Sequence, residues 1–433
     1  MRAPLVRFCS ILACVAAAAC TSSSVTPQPA SSASTAQPGS IERMWNVTTI
    51  SKAAMGKGLI GSTITELGGA PQCDVRLVGI LYHTTGVHGE PADASAAFMI
   101  PLPPCKGPFP LVGYAHGTNP VKEQLITDPK TTSSTWTAPD QSPVVVAAIF
   151  AAHGYAVAAT DYLGLGLSTY PYHPYLHAAS EATAVIDSIL AARTAAAHLK
   201  IRLNGQIFLA GHSQGGQSTV ASQRAIEASY PQLHLAAVGA SSGPYALSQT
   251  FEDSLRRQSQ DAPILAAYIL PGYHKIYGNI YDDPSQIFKE PWAAGIDSLL
   301  PVATYQQEAK LYGKTLPLKL AQLLRRSFVQ SFLNDPNSDA RKDTADNDLL
   351  GGWTPKAPLF LCGGDRDPEV EYKNAREAYA YFKKRGADVR LLDVNSLVPP
   401  TVPIVDYHVV VAILCLPVAR TTFFDPVRRP QAR

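Results

Sequence analysis

From Pro110 onward, short apolar runs alternate with segments whose apolar residues recur at helical spacing. "PLVGYAHG", "YAVAATDY" and "QIFLAG" have strand length and composition, and between them stand the helical segments "PVVVAAIFAAHG" and "SEATAVIDSILAARTAAAHLK". This alternation predicts a parallel sheet with crossover helices. In the second helix Val185 and Ile189, like Ile186 and Leu190, stand four apart in one apolar stripe, with Ser180 as the expected N-cap and Glu181 in the first turn. That stripe packs the helix and carries no chemistry. After "HLAAVGASSGPYAL" the rhythm stops, and residues 248–355 hold aromatic-rich, helix-like segments such as "LAAYILPGYHKIYGNIY". It resumes with "APLFLCGGDRD", the helix "EYKNAREAYAYFKKRG" stopped by Gly386, and the strand "ADVRLLDV". The predicted class is α/β: a mostly parallel central sheet flanked by helices, its core split into residues 41–247 and 356–433 by a helical cap over 248–355.

Before the first 40 residues give way to that core, the pattern differs. Arg2 and Arg7 flank the start of "FCSILACVAAAAC", a short apolar stretch ending in small residues, the layout of a secretory signal over residues 1–20. "AAAAC" resembles a bacterial lipoprotein processing site with Cys20 as the lipidated residue, although Ala17 stands where Leu or Val is usual. Membrane attachment through Cys20 in the cell envelope and ordinary secretion are the two outcomes this allows. Residues 21–40, rich in Ser, Thr, Ala, Pro and Gln, have no apolar periodicity and read as a flexible linker.

Composition narrows the function. At 433 residues the chain has ample length for a large core, and a net charge of +2 without blocks of either sign leaves no electrostatic footprint for nucleic acid. Of seven cysteines, Cys9, Cys14 and Cys20 fall in the export segment. Cys73 opens "CDVRLVGILYHTT" and Cys105 closes "ASAAFMIPLPPC", two strand-like runs around a turn near Gly89. An antiparallel hairpin would set them side by side, leaving Cys362–Cys415 by elimination; buried free thiols are the alternative.

Two stretches match Gly-x-Ser-x-Gly: "GHSQG" around Ser213 and "GASSG" around Ser241. A nucleophile at a strand-to-helix elbow needs a strand before it, a helix at once after it, and small residues where the turn crowds its neighbours. Ser213 has all three: "QIFLA" before it, Gly211, Gly215 and Gly216 around it, and the helix former "QSTVASQRAIEA" behind it. Ser241 runs into Gly243-Pro244, which suits a loop, and is assigned a structural role. A serine needs a histidine to take its proton, and His408 in "IVDYHVVVAIL" is the one histidine after residue 274, where the order Ser, acid, His places the base. His173 and His177 stand four apart, but Pro174 interrupts the helix and no carboxylate completes a metal site, so no metal is expected. Two N–H donors are required for the oxyanion: those of Gln214, next to the nucleophile, and Thr118, in the loop "GYAHGTNP". The alternative for His116-Gly117 is a loop-shaping role only.

Together "YAHGT", "GYAVAATDYLGLG", "HPYL" with the helix after it, "GHSQGG" and "GGDRDPEV" resemble the secretory lipase family of α/β-hydrolases, the lipase A-like group. The likeness spans about residues 110–216 and resumes near 359. It implies the α/β-hydrolase fold, a cap over the site, and hydrolysis of carboxylic esters, often lipid or acylglycerol esters, without a cofactor. Ser213 matches the family's nucleophile, Asp367 its acid and His408 its base. The family-like spacing Gly364, Asp367, Val370 favours Asp367 over Asp365, which lies closer to the turn and is expected to bond backbone or pair with Arg366. The expectation is an ester-cleaving serine hydrolase; a serine peptidase of the same fold and a non-enzymatic surface lipoprotein are the competing readings.

Overall fold

The computed structural model describes residues 36–129, 139–257 and 262–428. Its centre is made of the apolar runs read above: β4 (Phe109–Ala115), β5 (Ala156–Thr160), β6 (Leu203–His212), β7 (His234–Ser241), β8 (Leu359–Gly363) and β9 (Val389–Asp393), all mutually parallel where they pair. These strands are apolar on both sides because both faces are covered. Along β4 the side chains of Leu111 and Ala115 enter one core and those of Val112 and Tyr114 the other, the two-residue period of a strand dividing one run between two layers. β1 (Ile41–Ile50), β2 (Val75–Thr85) and β3 (Pro91–Pro101) add an antiparallel edge, giving the order β1-β2-β3-β5-β4-β6-β7-β8-β9 among the described residues.

β1 escapes a reading based on apolar runs. "IERMWNVTTI" is largely solvent-facing, and its Trp45 packs where β2 has Gly79; a Cβ there would stand 2.1 Å from the indole. The crossover helix also begins earlier than expected, at Ala178. Its N-cap is His177, whose Nδ1 accepts from the Ser180 N–H, so Ser180 is a first-turn residue and not the cap. The secretory signal and lipidation expected over residues 1–20, and most of the linker expected over 21–40, lie outside the described residues.

The strand order sets the site. From β4 the chain crosses to β5 on one side, then returns past β4 to β6 on the other. The connections after β4 and β6 therefore diverge, opening a crevice at the carboxyl ends of these strands, where open α/β sheets bind ligands. Ser213 follows the last residue of β6, and His116–Thr118 follow the last residue of β4.

Between β7 and β8 the described residues form helices, the longest being Leu247–Arg257, Ala262–Tyr277 and Arg326–Asn334. They share a separate apolar core with Val121, Tyr175 and Leu176 of the loops that follow β4 and β5. The two ends of the segment are tied together: Leu349 N–H donates to Tyr245 O at 2.8 Å, and Asp348 accepts from the N–H and hydroxyl of Ser248. The helical stretch Tyr407–Val427 is apolar and long enough to cross a membrane, but 72% of its most apolar 18 residues are buried inside the protein.

Both disulfides are formed. Val75 pairs with Pro101 at the open end of the β2–β3 hairpin, which brings Cys73 and Cys105 to a Cα separation of 5.8 Å just beyond it. Cys362–Cys415 joins β8 to the helix Tyr407–Ala419 across 53 residues of sequence. Closing a loop of that length removes entropy from the unfolded chain worth about 4 kcal/mol. Replacing Cys362 and Cys415 together by alanine should lower the unfolding free energy by about 2–4 kcal/mol, measured by urea denaturation; an unchanged midpoint would show that the bond contributes nothing.

Candidate active site

Ser213 sits between β6 and the helix Gln214–Ser229 with φ 58° and ψ −124°, a backbone region costly for any residue with a Cβ. The turn closes because its neighbours lack side chains. A Cβ on Gly215 would lie 1.9 Å from the Ala115 carbonyl oxygen, and one on Gly216 2.5 Å from that of Ser241. Ser213 N–H donates to Ser241 O at 2.9 Å, while Gly216 and Gln217 return their N–H groups to Ser213 O. Ser241 is thus a structural neighbour: its hydroxyl bonds His212 Nδ1 at 3.0 Å in the buried floor of the site.

Gln214 opens the helix, so its N–H belongs to the first turn and has no intrahelical acceptor. The Gly117–Thr118 peptide is pinned from several sides. His116 Nδ1 is 2.7 Å from Gly117 O, Asp140 Oδ2 accepts from Gly117 N–H at 2.7 Å, Gln141 Nε2 donates to Thr118 O at 2.7 Å, and the Thr118 hydroxyl bonds Tyr175 Oη at 2.6 Å. Burial lowers the His116 pKa to about 4, so the ring is neutral at pH 7 and its Nδ1–H donates to Gly117 O. Because the peptide is planar and trans, a carbonyl directed at His116 turns the Thr118 N–H the opposite way.

His408, in the first turn of Tyr407–Ala419, is buried, and its Nδ1 lies 2.7 Å from Asp367 Oδ2. Asp367 Oδ1 accepts from the N–H groups of Glu369 and Val370, at 3.0 and 3.1 Å, so both carboxylate oxygens are engaged. Nε2 lies 3.7 Å from Glu369 Oε2. Burial alone would depress the His408 pKa, but the carboxylates of Asp367, Glu369 and Asp140 outweigh it and hold the pKa above that of free histidine. The ring packs 4.6 Å from that of His212, the residue before Ser213. Asp365, by contrast, is about half exposed and pairs at 3.3 Å with Arg376 instead of Arg366, which binds Asn395. A largely apolar cavity of about 40 Å³ is lined by Thr118, Ser213, Gln214 and Glu369 together with Phe251 and Ile269 of the helices above.

The chain matches the alpha/beta hydrolase family over residues 114–403. It belongs to that family. Among solved structures it is similar to a mutant of the rice cell wall degrading esterase LipA from Xanthomonas oryzae, at 35% identity and a TM-score of 0.80, over 90% of this chain and 100% of that one. A protein of Legionella pneumophila (22% identity, TM-score 0.75, 91% and 99% covered) and Candida antarctica lipase A (16%, 0.58, 82% and 76%) share the fold. No curated protein sequence matches the chain.

In this alpha/beta hydrolase a second buried network holds Gln214 from below. Its amide Nε2 donates to Glu181 Oε1 at 2.6 Å and to His173 Nε2 at 2.8 Å. His173 Nδ1 bonds Leu163 O, so the ring donates there and keeps its Nε2 lone pair for the amide; burial lowers its pKa to about 3. These contacts use both ring nitrogens of His173, and His177 is engaged as a helix cap. Glu181 also accepts from Leu176 N–H at 2.8 Å and from the Ser218 hydroxyl, and burial raises its pKa to about 7 despite these bonds.

Sequence reading missed Asp140, Glu181, His212 and Glu369 as parts of the site. His212 and Glu369 stood in motifs already singled out, next to Ser213 and two residues past Asp367. Asp140 precedes a helix in an otherwise featureless stretch, and no local pattern marks it. Glu181→Ala removes an acceptor shared by three buried donors, one of which, the Ser218 hydroxyl, has a second acceptor in Gln214 O, and should cost about 2–3 kcal/mol in unfolding free energy, while Glu181→Gln, which keeps one carbonyl acceptor, should cost less. Urea denaturation of the two variants checks the order; equal and small losses would contradict it.

Proposed function

We propose that this protein is a serine hydrolase that cleaves carboxylic esters with an apolar acyl chain, lipid esters included, through an acyl-enzyme. The observation that carries the reading is the Asp367–His408 hydrogen bond at 2.7 Å, in a ring whose Nε2 lies 3.7 Å from Glu369, a residue that lines the same cavity as Ser213. The similarity to an esterase over 90% of the chain supports it. In this mechanism Ser213 Oγ attacks the ester carbonyl as His408 Nε2 takes its proton. Asp367 holds the ring and favours the imidazolium that forms. The oxyanion is met by the N–H groups of Gln214 and Thr118, each worth about 3–4 kcal/mol in such sites. The imidazolium then protonates the leaving alkoxide, and water, deprotonated by His408, releases the acid.

The helices between β7 and β8 act in this reading as a cap whose Phe251, Leu265 and Ile269 surround the acyl group. Tyr273 is buried behind them, its hydroxyl donating to Leu176 O, and supports the cap rather than contacting substrate. The N-terminal pattern supports export, with lipidated Cys20 as a membrane anchor.

Ser213→Ala should abolish hydrolysis of p-nitrophenyl esters and labelling by a fluorophosphonate, while Ser241→Ala, if folded, keeps most activity. Asp367→Asn should lower kcat about ten-thousandfold, whereas Asp365→Asn, losing an exposed pair, should cost about tenfold or less. A greater loss for Asp365→Asn would reassign the acid. Ile269→Ala enlarges the cavity, and each methylene it newly accommodates should favour longer acyl chains over acetate by about fourfold, the equivalent of about 0.8 kcal/mol. An unchanged ratio of kcat/KM across a chain-length series would remove the acyl-binding role from these helices.

A further inference from the structure

The turn after β8 brings two carboxylates to one imidazole. Asp367 Oδ1 binds the N–H groups of Glu369 and Val370, and this local bonding directs Asp367 Oδ2 at His408 Nδ1. The same turn leaves the Glu369 carboxylate 3.7 Å from Nε2, with its side chain 22% exposed and lining the cavity beside Ser213. A neutral imidazole has a proton on one nitrogen only, and the imidazolium has one on each. Carboxylates at both nitrogens therefore favour the protonated ring. Among the described residues, the titratable groups that also act on His408 include Asp140, from the segment before the helix Pro143–Ile149, and His212, from the end of β6. Asp140 adds to the same effect. His212 is kept neutral by its burial and by the charge of His408.

We propose that Glu369 is a positioning residue whose charge favours a proton on His408 Nε2 in the free enzyme, so that the base becomes available to Ser213 only above the pH range of an ordinary histidine, and that an acyl group entering the cavity displaces the carboxylate. This rests on the reading of His408 as general base. The sign follows from the charge: a base must be neutral to act, an adjacent anion raises the pH at which it becomes neutral, and the acid limb of activity moves up with it. Since kcat/KM reports the free enzyme and kcat the substrate complex, displacement by substrate makes the Glu369 effect larger in kcat/KM than in kcat.

The test is the pH dependence of p-nitrophenyl acetate hydrolysis by the full-length protein. Glu369→Gln should shift the acid limb of kcat/KM to lower pH by about one unit, equivalent to about tenfold in the share of neutral His408 below the limb, and should shift that of kcat less. Glu369→Asp should fall between it and the wild type, and Glu371→Gln, which removes a surface partner of Arg257, should leave the limb in place. Coincident limbs for wild type and Glu369→Gln, or a shift to higher pH, would overturn the proposal. Should Glu369→Gln not fold, judged by loss of fluorophosphonate labelling, the His408 ring is titrated by NMR in Ser213→Ala, and a midpoint at or below that of free histidine overturns it. Hydrolysis that survives Ser213→Ala defeats the underlying reading; an inactive Ser213→Ala with coincident limbs defeats this inference alone.

Discussion

Ser213 is held at a positive φ by the pairing of β6 with β7, and the remainder of the site is arranged around that strained residue. Such a conformation costs about 1–3 kcal/mol and persists only where the surroundings over-determine it. Here they do so through the last register pair of the two strands, His212 opposite Ser241, beyond which Ser213 N–H reaches the Ser241 carbonyl. The same carbonyl is what a Cβ on Gly216 would strike. The second Gly-x-Ser-x-Gly stretch is therefore part of the first one's support: its small residues let β7 come close enough to anchor the elbow. A bulky residue near Ser241 would disturb Ser213 without touching any substrate.

Burial then sorts the titratable groups. Desolvation pushes His116 and His173 down to about 4 and 3, and His212 down as well, while it pushes Asp140 and Glu181 up to about 6 and 7. A neutral histidine is one donor and one acceptor, and which nitrogen plays which part is set by its fixed partner. His116 and His173 each meet a backbone carbonyl with Nδ1, so they orient the Thr118 peptide and the Gln214 side chain without adding charge. His408 alone among these histidines is shifted upward, because carboxylates surround it. Carboxylates thus favour charge on one of these rings, while burial keeps the others neutral.

The sequence made the central strands, the elbow and the Cys73–Cys105 disulfide legible for a common reason: each has a local signature, whereas Cys362–Cys415 followed only by elimination. Apolar runs of strand length, glycines around Ser213, and cysteines at the ends of two paired runs need no knowledge of distant contacts. β1 was not legible, because its polar residues face solvent and its place depends on Trp45 finding Gly79 across the strand pair. The helix start at Ala178 was misread for a similar reason: Ser180 is the better capping residue in isolation, but His177 occupies the capping position. Asp140 and Glu181 act across 23 and 33 residues of chain, on Gly117 and Gln214. No spacing rule connects them, and only the folded sheet does.

The position of His408 shows how a buried side chain can be held when the loop leading to it is ill suited to fix it. Residues 394–406 carry three prolines, and although Val394 and Val398 reach the core, Leu397 and Ile404 are exposed, so the loop alone does not fix His408. The histidine is fixed instead by the helix it begins. That helix is tied through Cys415 to Cys362, the penultimate residue of β8, and Asp367 is the fourth residue after the same strand. At the near end, Tyr407 Oη donates to Asn395 Oδ1 at 2.8 Å, Arg366 Nε donates to the same oxygen at 3.1 Å, and the Arg366 guanidinium lies over the Tyr407 ring. Asp367 and His408 therefore hang from one strand by two routes, one covalent and one hydrogen-bonded. Motion of the proline-rich loop need not alter the distance between them.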